Sequence, residues 1–156
     1  MDLPDIITIQ VSDPSGQPVP GIIVQLTVKS GNRNTYQILS PMTGRDGLAQ
    51  ITKPEFTGQF EDHWEMGLMD YNGTVESASP EVQVGLFDPT WHMANPEACL
   101  AWPLFKNEQA RWASRQKQYE ALVSCANLQY RAEPTPVNLE TQNKISFAVS
   151  KPRGKA

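Results

Sequence analysis

Two cysteines in 156 residues, Cys99 and Cys125, are too few to staple a small secreted domain, and they form no CxxC pair. Basic charge is scarce too. Thirteen Lys and Arg against 17 Asp and Glu leave a formal net charge of −4, which argues against the basic face that a nucleic-acid backbone requires, so no nucleic-acid partner is expected. The one basic cluster, Lys151, Arg153 and Lys155, reads as a flexible, solvated tail over residues 151–156. No apolar run approaches the ~18 residues of a membrane span, so membrane insertion is not expected. The opening MDLPDIITIQV has neither a basic n-region nor an apolar h-region, so no signal peptide is expected there. These absences together point to a reducing, cytoplasmic setting, or to one piece of a larger exported assembly.

Phosphate-binding and nucleophile motifs are missing as well. The chain has no GxGxxG, no GK[ST] and no GxSxG. Neither cysteine has a recognisable histidine-bearing partner motif, and there are only two histidines, His63 and His92. Catalysis and bound cofactors are therefore not expected. "EDHWE", Glu61 to Glu65, concentrates acids around His63 and puts Glu61, His63 and Glu65 on one face if it is a strand. That face lies opposite Trp64, so it is read as a solvated outer face rather than a metal site.

What is present is alternation. A length of 156 residues suits one domain, and 39% hydrophobic residues suit a globular core. Ile7, Ile9 and Val11 alternate with polar residues, as do Ile22, Val24, Leu26 and Val28. The same period recurs at Trp64, Met66 and Leu68, at Val82, Val84 and Leu86, and at Ile145, Phe147 and Val149. Weaker segments lie around Tyr36–Leu39 and Ala49–Ile51, for about seven strands in all. Turn signals separate them at Pro14 to Gly16, Gly31-Asn32, Gly44 to Gly47 and Asn72-Gly73. The 13 prolines and 10 glycines are spread among such corners rather than gathered in a low-complexity tract. Short alternating strands with tight corners predict a mainly β, seven-stranded antiparallel sandwich. Val24, Leu26, Trp64, Val84 and Phe147 are expected to share its core.

From Asn95 to Tyr130 a helical period takes over. Asn95-Pro96-Glu97 reads as an N-cap, a first-turn proline and a first-turn acid, with Pro103 interrupting or kinking the start. Phe105, Trp112, Tyr119, Val123 and Ala126 fall on one stripe, with Ser114, Lys117 and Ala121 opposite. The pattern predicts one long amphipathic helix, inserted before the last strand and ending ahead of Pro134 and Pro136. A continuous helix from Phe105 to Cys125 would hold Cys99 and Cys125 apart, so both are expected as free thiols.

Two corners carry a resemblance. Asp13, Gly16, Pro18, Val19 and Gly21 match D-x-x-G-x-P-V-x-G, and Thr43, Asp46, Gly47 and Ala49 match a T-x-x-D-G-x-A signature. In these stretches, about residues 6–53, the chain resembles bacterial Ig-like modules of the invasin and intimin type. Carboxypeptidase-regulatory, transthyretin-like modules use nearly the same pattern, and these residues do not separate the two. Either resemblance implies a β-sandwich and a role as a spacer, an adhesive domain or a docking domain. The helical segment belongs to neither pattern. The His, Arg and C-terminal tyrosine motif of transthyretin-like hydrolases are not seen.

Trp91 and Trp102 flank the helix start in "DPTWHMANPEACLAWP" and belong to no alternating strand. Aromatics of this kind can anchor a protein interface or stack on sugar rings. The expected function is a non-catalytic binding or adaptor domain whose partner is another protein. Its candidate interface comprises Trp91, His92, Trp102, Arg111, Lys117 and Gln118. The alternatives are a structural spacer or adhesin-like module of a secreted, virion or surface assembly, and a carbohydrate-binding module.

Overall fold

The computed structural model describes residues 1–30, 35–65, 78–101 and 115–151. The turns expected at Gly31-Asn32 and Asn72-Gly73, together with Met66, Leu68, Trp102, Phe105, Arg111, Trp112 and the tail beyond Lys151, lie outside the described residues.

The described chain is mainly β, with two sheets on one core. Strand β1 (Ile6–Ser12) lies between β4 (Leu48–Thr52) and β7 (Lys144–Ala148) in a three-stranded sheet. The four-stranded sheet has the order β3 (Thr35–Leu39), β2 (Val24–Ser30), β5 (Ala78–Leu86), β6 (Thr135–Asn138). Ile7, Ile9, Val11, Ile145 and Phe147 from the first sheet meet Val24, Leu26, Val28, Ile38, Val82 and Val84 from the second in one buried cluster. Period-2 alternation in segments far apart in sequence is satisfied in this way, because each strand turns its apolar side to the same layer.

Four features depart from the expectation. First, the strands are not all antiparallel: β7 runs parallel to β1, pairing Ile9 with Ile145 and Val11 with Phe147. The chain crosses from β6 in one sheet to β7 in the other, and so enters beside β1 in the same direction.

Second, the segment holding Trp64 is no strand. It closes helix α1 (Lys53–Glu65), so the strand expected at Glu61 to Glu65 is not formed. Thr52 Oγ1 accepts the Glu55 N–H at 3.3 Å, and Thr52-x-x-Glu55 is a capping-box spacing visible in the sequence. Phe56 and Phe60, four residues apart, are buried in the core, and Phe60 stacks on Tyr36 with ring centroids 3.9 Å apart. Helix α1 packs on both β3 and β4, the edge strands of the two sheets, and covers one open side of the layer. Buried Gln59 completes the closure. Its Oε1 accepts the Leu39 N–H and its Nε2 donates to the Leu39 carbonyl, each at 2.7 Å.

Third, β6 supplies the seventh strand, so the helical segment precedes the last two strands rather than the last one. Its Pro136 is tolerated because β6 is a sheet edge. Fourth, the described helices of this segment are short, and residues 102–114 between two of them lie outside the described residues. A short helix α2 (Thr90–Ala94) precedes α3 (Pro96–Ala101), and α4 (Arg115–Ser124) packs against both of them.

The two glycine corners meet each other. Asp13 Oδ1 accepts from the Ser15 N–H, the Ser15 hydroxyl and the Gln17 N–H at 2.7–2.9 Å, and Gly16 takes φ +83°. The Ser15 hydroxyl, and after it the Gln17 N–H, hold the Asp13 carboxyl below its ordinary pKa. Thr43 ties the second corner to the first: its hydroxyl donates to the Val19 carbonyl at 2.7 Å and accepts the Ile22 N–H at 3.0 Å. Its backbone repeats the link, with Thr43 N–H donating to Ile22 and Gly21 N–H donating to Thr43, both at 2.9 Å. Geometry alone accounts for this motif, and no ligand is needed to explain it.

Candidate functional site

Beyond the ends of β2 and β5, Ile23, Leu39 and Phe87 form a second, smaller apolar cluster that Leu122 of α4 covers. Ile23, Leu39 and Phe87 follow the polar-side register of their strands, so this cluster lies on the face of the four-stranded sheet opposite the main core. The helices therefore sit on that outer face, at one end of the sheet.

Asn127 pins them there. It lies in a 3₁₀ turn (Asn127–Gln129) just after α4 and is buried. Its Oδ1 accepts the Ile23 N–H at 2.9 Å, and its Nδ2 donates to the carbonyls of Ile23 and Phe87, each at 2.7 Å. Ala126 N–H donates to the Gly21 carbonyl at 2.8 Å, so the end of the helical segment is also laced to the first corner. No periodic signal marks Asn127, because a single polar side chain bridging two strand ends has no period.

The loop from Phe87 into α2 carries the exposed part of the site. Asp88 Oδ1 accepts from both the Thr90 N–H and the Thr90 hydroxyl, which starts the turn and lowers the Asp88 pKa. Asn95 Nδ2 donates to the Trp91 carbonyl at 2.7 Å and closes the other end of α2. No residue of this helix is buried. Trp91 is 56% exposed and Met93 47% exposed. His92 is half-buried between them, edge-on to Phe87 at 5.2 Å and to Trp91 at 5.1 Å between ring centroids. Burial pushes the imidazole pKa down while the Asp88 charge opposes it. Its Nδ1 is buried, with no hydrogen-bond partner among the described residues.

The expected interface residues separate on this geometry. Trp91 and His92 lie together at the sheet end, and Lys117 is exposed on α4. Trp102 and Arg111 fall outside the described residues. Gln118 is a correction: only 2% exposed, it faces inward one turn before Leu122. The expected stripe was phased on Tyr119 and Val123, which are only half-buried. The face that packs is rotated by one residue, about 100°, onto Gln118 and Leu122.

Met42 and Leu128, missed in the sequence, belong to the same end. Met42 lies between Ser40, whose hydroxyl accepts the Val24 N–H, and Thr43, which holds Ile22. Leu128 follows Asn127 directly. Met42, Trp91, Met93 and Leu128 are four of the five exposed large apolar side chains among the described residues, Ile6 being the fifth. Each of these four is on a loop, a 3₁₀ turn or the short helix α2, in segments anchored to Ile22–Val24 or Phe87.

Both cysteines are free thiols, with Cys99 buried and Cys125 half-buried. The continuous helix expected to hold them apart runs through residues 102–114, outside the described residues, and α3 packs against α4. Burial raises both thiol pKa values, which leaves little thiolate at neutral pH. Alkylation of the native protein at pH 7.5 is expected to be slow at both sites, and unfolding without reductant should expose two reactive thiols. Rapid native labelling at either cysteine, read by mass spectrometry, would contradict this burial.

Among the described residues, no group of three or more His, Cys, Asp and Glu side chains is placed to hold a metal ion. No described helix is long and apolar enough to cross a membrane. No family model, curated protein or solved structure matches the chain.

Proposed function

We propose that this chain is a non-catalytic protein-binding or adaptor domain, an Ig-like or transthyretin-like module whose partner seats on the end bearing Trp91 and Met93. The supporting observation is that Met42, Trp91, Met93 and Leu128 are exposed on segments anchored at one end of the four-stranded sheet. Exposed apolar side chains scattered singly need no explanation, whereas several at one end of a molecule mark an interaction surface. Tryptophan and methionine are also among the residues that protein interfaces favour. The loops are held from below by Asn127, Thr43 and Ser40, so a partner meets a surface already ordered and pays little entropy to bind it.

The test is a quantitative pull-down from the native host with three baits. These are the wild-type chain, the double variant Trp91→Ala/Met93→Ser, and a control with Gln37→Ala/Gln83→Ala on exposed sheet positions. A partner retained by wild type and control but lost from the double variant supports this surface. Equal recovery with all three moves the interface elsewhere. The exposed Trp91 indole also suits stacking on a sugar ring, and a glycan whose binding is lost with Trp91→Ala would favour the carbohydrate-binding reading.

A further inference from the structure

Among the described residues, the two open sheets have four edge strands, β3, β4, β6 and β7. An open edge presents unpaired N–H and C=O groups to any other strand, so folded proteins usually block it. Three of these edges carry a blocking device. Helix α1 packs on β3, where Gln59 takes both backbone groups of Leu39, and on β4 the outward Leu48 N–H donates to Asp46 Oδ1 while its carbonyl accepts from the Gly44 N–H. On β6, Leu139 N–H donates to the Pro80 carbonyl, so Pro136 and Asn138 are the residues that face away from β5. Pro136 has no N–H to offer. Asn138 N–H donates to Gln142 Oε1 at 3.0 Å, and its carbonyl accepts from the Gln142 N–H at 2.9 Å.

Among the described residues, strand β7 has no such device. Thr8 N–H donates to the Asn143 carbonyl and Val149 N–H donates to the Ser12 carbonyl, so the odd-numbered residues face β1. The outward groups therefore belong to Lys144, Ser146 and Ala148, whose side chains are exposed and whose outward N–H and C=O have no partner among the described residues. Ser150, the next outward residue, already exchanges both backbone hydrogen bonds with Arg131 at 2.8–2.9 Å. The open stretch is thus bounded: Arg131 closes one end, and the turn leading to Asn143 closes the other.

We infer that β7 is a homodimerisation edge, pairing antiparallel with β7 of a second copy about a two-fold axis at Ser146. In that register Ser146 faces Ser146 of the second copy, and Lys144 faces Ala148 in both directions. Each copy brings three outward donors and three outward acceptors, and every one finds a partner. A slip by two residues in one direction sets Lys144 against Ser150, which Arg131 occupies. A slip in the other direction sets Ala148 against Gln142, in the turn. Like charges are also avoided, because the one charged residue of the strand faces alanine. The three-stranded sheets of the two copies join into a single continuous sheet, and no residue of the Trp91 end takes part.

Sedimentation velocity from about 1 µM to about 1 mM reads the result, since a short strand pair buries little area and gives a weak dimer. The wild-type chain should dimerise with concentration. Ser146→Pro removes an outward N–H without touching the bonds to β1, so it should abolish the dimer while thermal unfolding of the monomer stays cooperative. Ala148→Lys places lysine opposite lysine twice and Ala148→Glu places glutamate opposite lysine twice. The first should weaken and the second strengthen dimerisation, by at least about three-fold each in dissociation constant. A chain that remains monomeric throughout the range overturns the inference. So does a dimer that ignores all three substitutions, or one that Trp91→Ala dissolves.

Discussion

Gly47→Ala should unfold this protein at a markedly lower temperature, while Gly16→Ala should be mild. Both glycines take the left-handed backbone, with φ +73° at Gly47 and +83° at Gly16. That conformation alone costs an alanine about 1–2 kcal/mol. The difference lies in the surroundings. A Cβ at Gly16 meets nothing within 4 Å, whereas a Cβ at Gly47 would sit 2.5 Å from the Val11 carbonyl oxygen and 2.9 Å from Pro18 Cβ. Neither obstacle can swing aside. Val11 O already accepts the Val19 N–H, and Val11 N–H donates to Gly47 itself, so both belong to the lacing between the two corners. The two corners would have to part, and a cost of about 3–5 kcal/mol is expected, at the far end of single-substitution effects. For a chain of this size that lowers the melting temperature by about 10 °C. Thermal unfolding of the two variants side by side checks it, and equal melting temperatures would refute the close approach of the corners.

Asn127→Ala should be comparably damaging, by a different route. Removing the amide leaves the Ile23 N–H and the Phe87 carbonyl without partners in a buried setting, while the Ile23 carbonyl keeps the Phe87 N–H at 3.2 Å. Two buried polar groups stripped of partners cost about 1–3 kcal/mol each. The loss should also be local in character: the α4 end comes off Ile23 and Phe87, so hydrogen exchange should accelerate at Ile23 before it does at the strands of the main core.

Asn127→Asp sharpens the test, because it keeps size and shape. One carboxylate oxygen can still accept from Ile23 N–H, but the other would face the carbonyls of Ile23 and Phe87. Burial and these two carbonyls raise the folded-state pKa of the new carboxyl above its unfolded value. Protonation is then favoured by folding. The deficit relative to wild type should be largest above the folded pKa and shrink as pH falls toward the unfolded value near 4. A deficit that does not change between pH 7.5 and pH 5 would show that the Asn127 amide is not oriented in this way.

Much of the strand layout could be read from residues alone. Alternation at Ile7–Val11, Val24–Val28, Val82–Val84 and Ile145–Phe147 tells which side of each strand is buried, because a pleated chain inverts its side chains at every step. The corner ending at Gly16, which takes φ +83°, was equally legible, since a tight turn leaves few residue types able to make it. Where periodicity was short, it misled. Three apolar residues at spacing two around Trp64 resemble a strand, yet the Thr52–Glu55 cap and the Phe56–Phe60 pair fit a helix over a longer span. The stripe on α4 was phased on its aromatic residues, and the buried amide of Gln118 shows the face one step round.

Other features exist only in three dimensions. A parallel β1–β7 pair depends on the order in which strands cross between sheets, which leaves no mark on the composition of either strand. The use of Gln59 and Asn127 as backbone partners depends on which strand ends arrive beside them, 20 residues away for Leu39 and 104 for Ile23. Local sequence determines which side of each element is apolar, because that is set by bonded geometry within a few residues. Which elements meet, which edges stay open and which apolar side chains are left at the surface are decided by packing between distant segments, and tertiary structure alone records that.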